Sequence, residues 1–422
     1  MRYSHSDRGG TNVEGAGERM LVELLDASHL TSLKQLPGVI AEHADRAGLQ
    51  DARIYIVDLQ QGVLRLLTGR DGELSATGDA PAEMRVDGTL AGRAYQNVVP
   101  LRGNTVADGG CHWWLPLLDG TERLGVLRVT MANDEDVLRR AESLAALIAL
   151  MLVSKSPSSD SLARLVRTRH MTVSAEMQWR SLPPTTFANN EMVIAAALEP
   201  AYRLGGDTFD YGLYGEIVHL GVFDAMGHDT AAGLTSNLAV AAYRNSRVEG
   251  ADLLETGRAI EEALIEQDAS GRFVTAVLAR LHLPTGRLEW ASYGHPPPIV
   301  IRGGRWVTTL DCAPGVPLGT ALDLAPAVCT EQLQPGDRVI LYTDGVVEAR
   351  DPGKREFGIA RFVDFIIRHD AAGLPVPETL RRLVRGILEH HEGRLDDDAT
   401  VLVLEWHGPS GMQESIRALT AT

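Results

Sequence analysis

The chain is predicted to be an α+β protein with two cores: a smaller α/β unit, a linker helix, and a larger unit of sheets packed face to face with helices outside. Three observations point there. At 422 residues the chain exceeds what one core ordinarily holds. The stretch "SKSPSSDS" at 154–161 is a cluster of breakers that divides it. Beyond Glu191, strand-like runs surround pairs of helical patterns, as layered α+β packing requires.

Composition narrows the class. Hydrophobic residues make up 44% and charged residues 23%, ordinary globular usage. A net charge of -16 disfavours nucleic acid, whose phosphates reward surplus Lys and Arg, and would welcome a metal cation. Cys111, Cys312 and Cys329 show no C-x-x-C spacing, so neither a disulfide framework nor a zinc site is expected, and a reducing cytoplasm fits. The N-terminus lacks an apolar h-region, and the longest apolar run, "LAALIALMLV" at 144–153, is too short to span a bilayer. A soluble cytoplasmic protein without membrane association is expected.

After a polar tail over residues 1–16, apolar residues recur at helical spacing from Arg19 to Ala47, predicting one helix. Strand-like runs follow at "ARIYIVDL", "VLRLL", "CHWWLPLL" and "RLGVLRVTM", with a short helix near "GTLAGRAYQN" and a long one over about Glu135 to Val153. This order resembles a GAF-type sensory domain over residues 17–154, most closely at "LPLLDGTERLGVLRV". A GAF-like domain implies a small-molecule ligand or none; no residue here names one. Trp113 and Trp114 alternate in a strand, so one should face the core and the other solvent or a dimer partner.

Residues 155–184 are expected to form the linker helix, stopped by Pro183 and Pro184. Leu162, Val166, Val173 and Met177 recur at spacings of four, seven and four, which suits either a short dimerising seam in a homodimer or an ordinary amphipathic linker. From 185 to 407 the pattern is strands, two helices over about Thr230–Ser246 and Ala251–Ser270, more strands, two further helices, and a last strand at "ATVLVLEW"; residues 408–422 read as a C-terminal tail.

The chemistry lies in carboxylates beside small residues at the ends of these strands. They are Asp207 and Asp210 in "RLGGDTFDYG", Asp224 in "VFDAMGH", Asp344 in "YTDGVVEA", and Asp396 to Asp398 in "RLDDDATVLVL". Aspartates at the ends of neighbouring strands can converge, and several can share a point only if a cation neutralises them. All-oxygen donors without His or Cys select Mg²⁺ or Mn²⁺. So many carboxylates suit two ions clamping a nucleophilic water for displacement at phosphorus.

Residues 185–407 resemble the PP2C-like (PPM) serine/threonine phosphatases of the RsbU/SpoIIE type, through "SLPP", "LGGDTFDY", "FDAMGHDTAAGL", "FVTAVLARL", "ASYGHPPPIVI", "PGVPLG", "LQPGDRVILYTDGVVEAR" and "DDATVLVL" in that order. The resemblance implies a PPM-type αββα sandwich with Asp207, Asp224, Asp344 and Asp397 as catalytic metal-binding carboxylates. The backbone carbonyl of Ala225 joins them, with Asp398 at the metals or just behind. Asp210, Gly206, His228 and His295 are expected around this set, Gly205 and Gly206 allowing a tight turn and His295 holding its loop or touching substrate. His228 is expected to open a helix, either with its N–H groups towards phosphate or in a purely structural role. Met226 stands where eukaryotic relatives carry a histidine proposed as general acid, and Asp229 where many relatives carry glycine. The implied substrate is a phosphorylated anti-sigma-factor antagonist of STAS type. The rival readings are a pseudophosphatase that sequesters a partner and a small-molecule phosphohydrolase.

Overall fold

The computed structural model describes residues 11–69, 80–106, 109–203, 205–267, 271–322, 324–349, 356–371, 373–390, 395 and 397–409. The chain separates into two compact units, Met1–Arg169 and His170–Thr422.

The first unit contains α1 (Thr11–Ser28), α2 (Leu36–Arg46), β1 (Gln50–Val57), β2 (Val63–Leu66), β3 (Glu83–Arg85), α3 (Leu90–Asn97), β4 (Leu101–Thr105), β5 (Cys111–Asp119), β6 (Glu122–Met131), α4 (Glu135–Lys155) and α5 (Asp160–Val166). Its strands form one antiparallel sheet in the order β3-β2-β1-β6-β5-β4. One face buries Ile54, Leu115 and Leu127 against Leu24, Ile40 and Ile148 of the helices. The other packs Tyr55, Trp114 and Val126 against Ala94 and Tyr95 of α3.

Three expectations change in this unit. The single helix over 19–47 is two, because Pro37 lies in the first turn of α2, where its missing N–H costs nothing but where a continuing helix would lose a bond. Helix α1 begins at Thr11, so the expected tail is shortened; residues 1–10 lie outside the described residues, as do 410–422 of the C-terminal tail. Trp113 and Trp114 do point to opposite faces, but both meet apolar clusters, since helices cover both faces.

The linker helix is also interrupted. α5 ends at Val166, and α6 (Val173–Ser181) opens the second unit. The Thr172 hydroxyl accepts from the Ala175 N–H at 3.2 Å and starts a new helix, so residues 167–172 are not helical. Leu162 and Val166 pack on the first unit's core while Val173 is exposed, and the four-residue seam does not form on one helix.

The second unit continues with β7 (Thr186–Ala188), β8 (Met192–Glu199), β9 (Asp207–Tyr214), β10 (Ile217–Ala225), α7 (Thr230–Val248), α8 (Leu253–Gln267), β11 (Val274–His282), β12 (Arg287–Tyr293), β13 (Ile299–Arg302), β14 (Arg305–Thr309), β15 (Cys329–Gln332), β16 (Arg338–Tyr342), α9 (Asp344–Val347), α10 (Ile359–Ala371), α11 (Val376–His390) and β17 (Ala399–Trp406). Two antiparallel sheets result, β15-β12-β11-β10-β9 and β14-β13-β16-β17-β8-β7. Their facing sides bury Phe209, Leu220, Val222 and Val277 against Ile194, Val339, Leu341 and Leu402. The outer faces are covered by α7 and α8 on one side and by α10 and α11 on the other, giving helix, sheet, sheet, helix.

Cysteine usage departs from expectation. Cys312 and Cys329 form a disulfide that closes the loop between β14 and β15, and Cys111 is buried and free. A search for C-x-x-C spacing does not see a pair 17 residues apart whose loop folds back onto the edge strand.

Candidate active site

β9 and β10 run antiparallel with Asp207 directly opposite Asp224, at the end of their shared ladder. Alternation puts both side chains on the face that carries Phe209, Leu220 and Val222, towards the other sheet. That sheet delivers Asp344 at the end of β16, and Asp397 and Asp398 just before β17. Glycines permit the approach: a Cβ on Gly345 would stand 1.9 Å from the Asp398 carbonyl oxygen, and one on Gly206 would stand 2.1 Å from the Ala225 carbonyl oxygen. The glycine pair thus serves close backbone contact. It brings the Ala225 carbonyl beside Asp207, where the Ala225 N–H donates to Gly206 O at 3.2 Å.

Each carboxylate is held. Asp207 is buried, and its Oδ2 accepts from Thr343 Oγ1 at 2.6 Å and Thr400 Oγ1 at 2.8 Å, both from the opposite sheet. Asp398 Oδ2 accepts from the Gly205 N–H at 2.6 Å and the Asp207 N–H at 3.4 Å, fastening the glycine loop. Asp224 is hydrogen-bonded by Thr275, its partner across β10 and β11. Asp397 is exposed and accepts from the Asp398 N–H at 2.9 Å.

Electrostatics shows that the group is crowded with like charge. Burial, then the charges of Asp344, Asp397 and Asp398, push Asp224 up to about 7. Burial, then Asp224 and Asp398, push Asp207 well above the usual carboxylate range against its two threonine hydrogen bonds. Burial lifts Asp398 to about 6, with Asp397 adding to it, and burial followed by Asp397 raises Asp344. Among the described residues no three His, Cys, Asp or Glu side chains close into a ready-made metal shell. Bare carboxylates repel, and the donor set, all oxygen with pKa values raised by burial and like charge, fits hard divalent cations that would neutralise it.

The other expected residues fall differently. Asp210, three residues from Asp207, faces α7, where its carboxylate accepts from Arg244 at 2.6 Å and Arg247 at 2.7 Å. It is a buried ion-pair partner rather than part of the carboxylate group, because residues three apart on a strand point to opposite faces. His228 is exposed and precedes the helix. Asp229 is the N-cap of α7, its side chain accepting from the Ala232 N–H at 2.9 Å while Arg272 pairs with it at 2.9 Å. Asp229 therefore occupies the helix end expected to face phosphate, and its φ of -104° needs no glycine. His295 is buried, with Nδ1 2.8 Å from Thr275 Oγ1 and Nε2 3.1 Å from the Tyr342 carbonyl, and burial holds it down to about 4.

Sequence reasoning missed Thr275, Thr343 and Thr400, though the last two flank aspartates in "YTDG" and "DDAT". It also missed Arg272, whose Nη1 donates to the Met226 carbonyl at 2.9 Å, and Gln178 of α6, whose Nε2 donates to the carbonyls of Gly205 at 2.8 Å and Asp207 at 2.9 Å.

Residues 215–407, which carry Asp224, Asp344, Asp397 and Asp398, match the family model of stage II sporulation protein E, SpoIIE. The second unit contains a SpoIIE-type phosphatase domain. It is of the PPM class, metal-dependent serine/threonine protein phosphatases. The chain is 22% identical over 236 residues to the phosphoserine phosphatase RsbU of Bacillus subtilis, covering 55% of this chain and 68% of that protein. Among solved structures, the SiaA-PP2C domain of Pseudomonas aeruginosa shows 22% identity and a TM-score of 0.47, covering 60% of this chain and 99% of that one. The RsbU and RsbW domains of Rv1364c from Mycobacterium tuberculosis show 22% identity and a TM-score of 0.46, covering 57% and 69%. Among the described residues no helix is long and apolar enough to cross a membrane.

Proposed function

We propose that the phosphatase domain hydrolyses phosphoserine or phosphothreonine in a protein substrate at a centre of two divalent cations, Mn²⁺ or Mg²⁺. Asp207, Asp224, Asp344, Asp397 and the Ala225 carbonyl would hold them. The observation that carries this reading is the convergence of carboxylates from both sheets on Asp224, whose acidity records the charges of Asp344, Asp397 and Asp398 together. Bound there, the cations would supply an activated water and neutralise charge on the phosphoryl group. The chain's own part is orientation. Thr343 and Thr400 fix Asp207, Thr275 steadies Asp224, and Asp398 ties the glycine loop against Ala225 from behind.

The substrate we assign is a phosphorylated anti-sigma-factor antagonist of STAS type, supported by the likeness to RsbU, itself named a phosphoserine phosphatase. The first unit, an antiparallel sheet with helices on both faces, is read as a GAF-like sensor acting on this domain. A pseudophosphatase is disfavoured because Asp207, Asp224, Asp344 and Asp397 are all present. The test is phosphate release in Mn²⁺ from a phosphorylated STAS-domain protein and from free phosphoserine. The proposal expects kcat/KM higher by at least about 10³ for the protein, roughly 4 kcal/mol of transition-state binding from remote contacts. Equal values would make the chain a small-molecule phosphohydrolase.

A further inference from the structure

The two sheets each carry part of the carboxylate group, so the spacing between them sets the spacing of the ligands. Besides Thr343 and Thr400, which reach Asp207, a buried imidazole ties both sheets there. His295 lies just after β12, with its own carbonyl accepting from Ser292 Oγ at 2.9 Å. Its Nε2 is 3.1 Å from the Tyr342 carbonyl, an acceptor only, so Nε2 carries the ring proton and donates. Nδ1 is then an acceptor and takes a hydrogen bond from the Thr275 hydroxyl at 2.8 Å. Tyr342 ends β16 two residues before Asp344, and Thr275 stands opposite Asp224 on β11. Asp224 thus lies directly across the β10–β11 ladder from a side chain that the imidazole holds in place.

We propose that His295 is a positioning residue for the metal centre, a strut that holds the β16 end bearing Asp344 and, through Thr275, Asp224 at the separation that divalent cations require. This rests on the two-cation reading above. Outer-shell partners of metal-ligating groups typically contribute 10- to 100-fold in metal affinity, and here the imidazole holds a neighbour of a ligand on each sheet, Thr275 across from Asp224 and Tyr342 two residues before Asp344.

The test is Mn²⁺ binding to the full chain by isothermal titration, beside phosphate release as a function of Mn²⁺. His295→Ala and Thr275→Val should each weaken Mn²⁺ binding about tenfold, with turnover largely recovered at saturating Mn²⁺, while Thr275→Ser, which keeps the hydroxyl, should bind as wild type does. Thr275→Val preserves the β-branched shape in its strand and keeps the test decisive if His295→Ala does not fold. A folded Thr275→Val that binds Mn²⁺ as tightly as wild type overturns the strut alone. Wild type that takes up no Mn²⁺ overturns the metal-centre reading, and the strut with it.

Discussion

Asp207 and Asp210 stand three residues apart in one strand, and the fold gives them opposite work. The buried Asp210 carboxylate pairs with Arg244 and Arg247, whose side chains still reach solvent, so Asp210→Asn removes charge-assisted hydrogen bonds without stranding a buried cation. It should cost about 1.5–3 kcal/mol of stability while turnover per folded molecule stays near wild type, measured by denaturant unfolding and phosphate release. Asp224→Asn should do the reverse in metal-free protein. Because the Asp224 carboxyl is raised to about 7, the folded chain holds its proton more tightly than the unfolded chain does. The stability that the proton lends is full below the unfolded value and is lost as pH rises through about 7. Asp224→Asn should therefore melt above wild type at alkaline pH, with the gap closing as pH falls towards the ordinary carboxylate value. His219 and His295, both held down to about 4, act in the opposite sense but are common to both proteins, so the difference isolates Asp224. The carboxylates themselves were legible in the sequence because each ends an apolar run beside a small residue. The threonines that orient them were not, because a contact across two sheets depends on a packing that periodicity along one strand does not encode.

Most elements of the second unit were readable one by one, since strands such as Ile217–Ala225 and Arg338–Tyr342 are apolar runs bounded by turn residues. The short strands β7 and β15 and the turn-long α9 were not, having too few residues to show a period. The linker misled because heptad-like spacing survives on paper across residues 167–172, where the backbone leaves the helix. What the break produces is more specific than a tether. α6 drives the fully buried amide of Gln178 onto the carbonyls of Gly205 and Asp207, so this helix grips the strand that begins with Asp207. Gln178→Ala would leave two carbonyls unpaired in the interior, at about 1–3 kcal/mol each. It should weaken Mn²⁺ binding and lower turnover together, whereas Arg180→Ala on the same helix, removing an exposed pair with Glu176, should change both little. Equal effects of the two substitutions in a metal titration would remove Gln178 from the account.

At the scale of the molecule, two units were legible in length, but the breaker cluster at 154–161 lies inside the first unit, which runs to Arg169, because α5 beyond it packs back on that unit's core; the four-layer sandwich was legible in the alternation of strand groups with helix pairs. The disulfide between Cys312 and Cys329 was not, since pairing is a property of where a loop returns. The net charge of -16 is consistent with a cation-loading centre, but its meaning is local. Asp207, Asp224 and Asp398 have pKa values raised by burial and by neighbouring carboxylates, a state that divalent metal relieves. The most direct test of the two-cation centre is the stoichiometry of Mn²⁺ bound by wild type, Asp224→Asn and Asp344→Asn, with phosphate release measured on the same samples. A two-cation centre requires two ions per wild-type chain, at least one lost in each variant, and turnover lower by about 10³ or more in folded protein. Wild-type stoichiometry and turnover in both variants would contradict it.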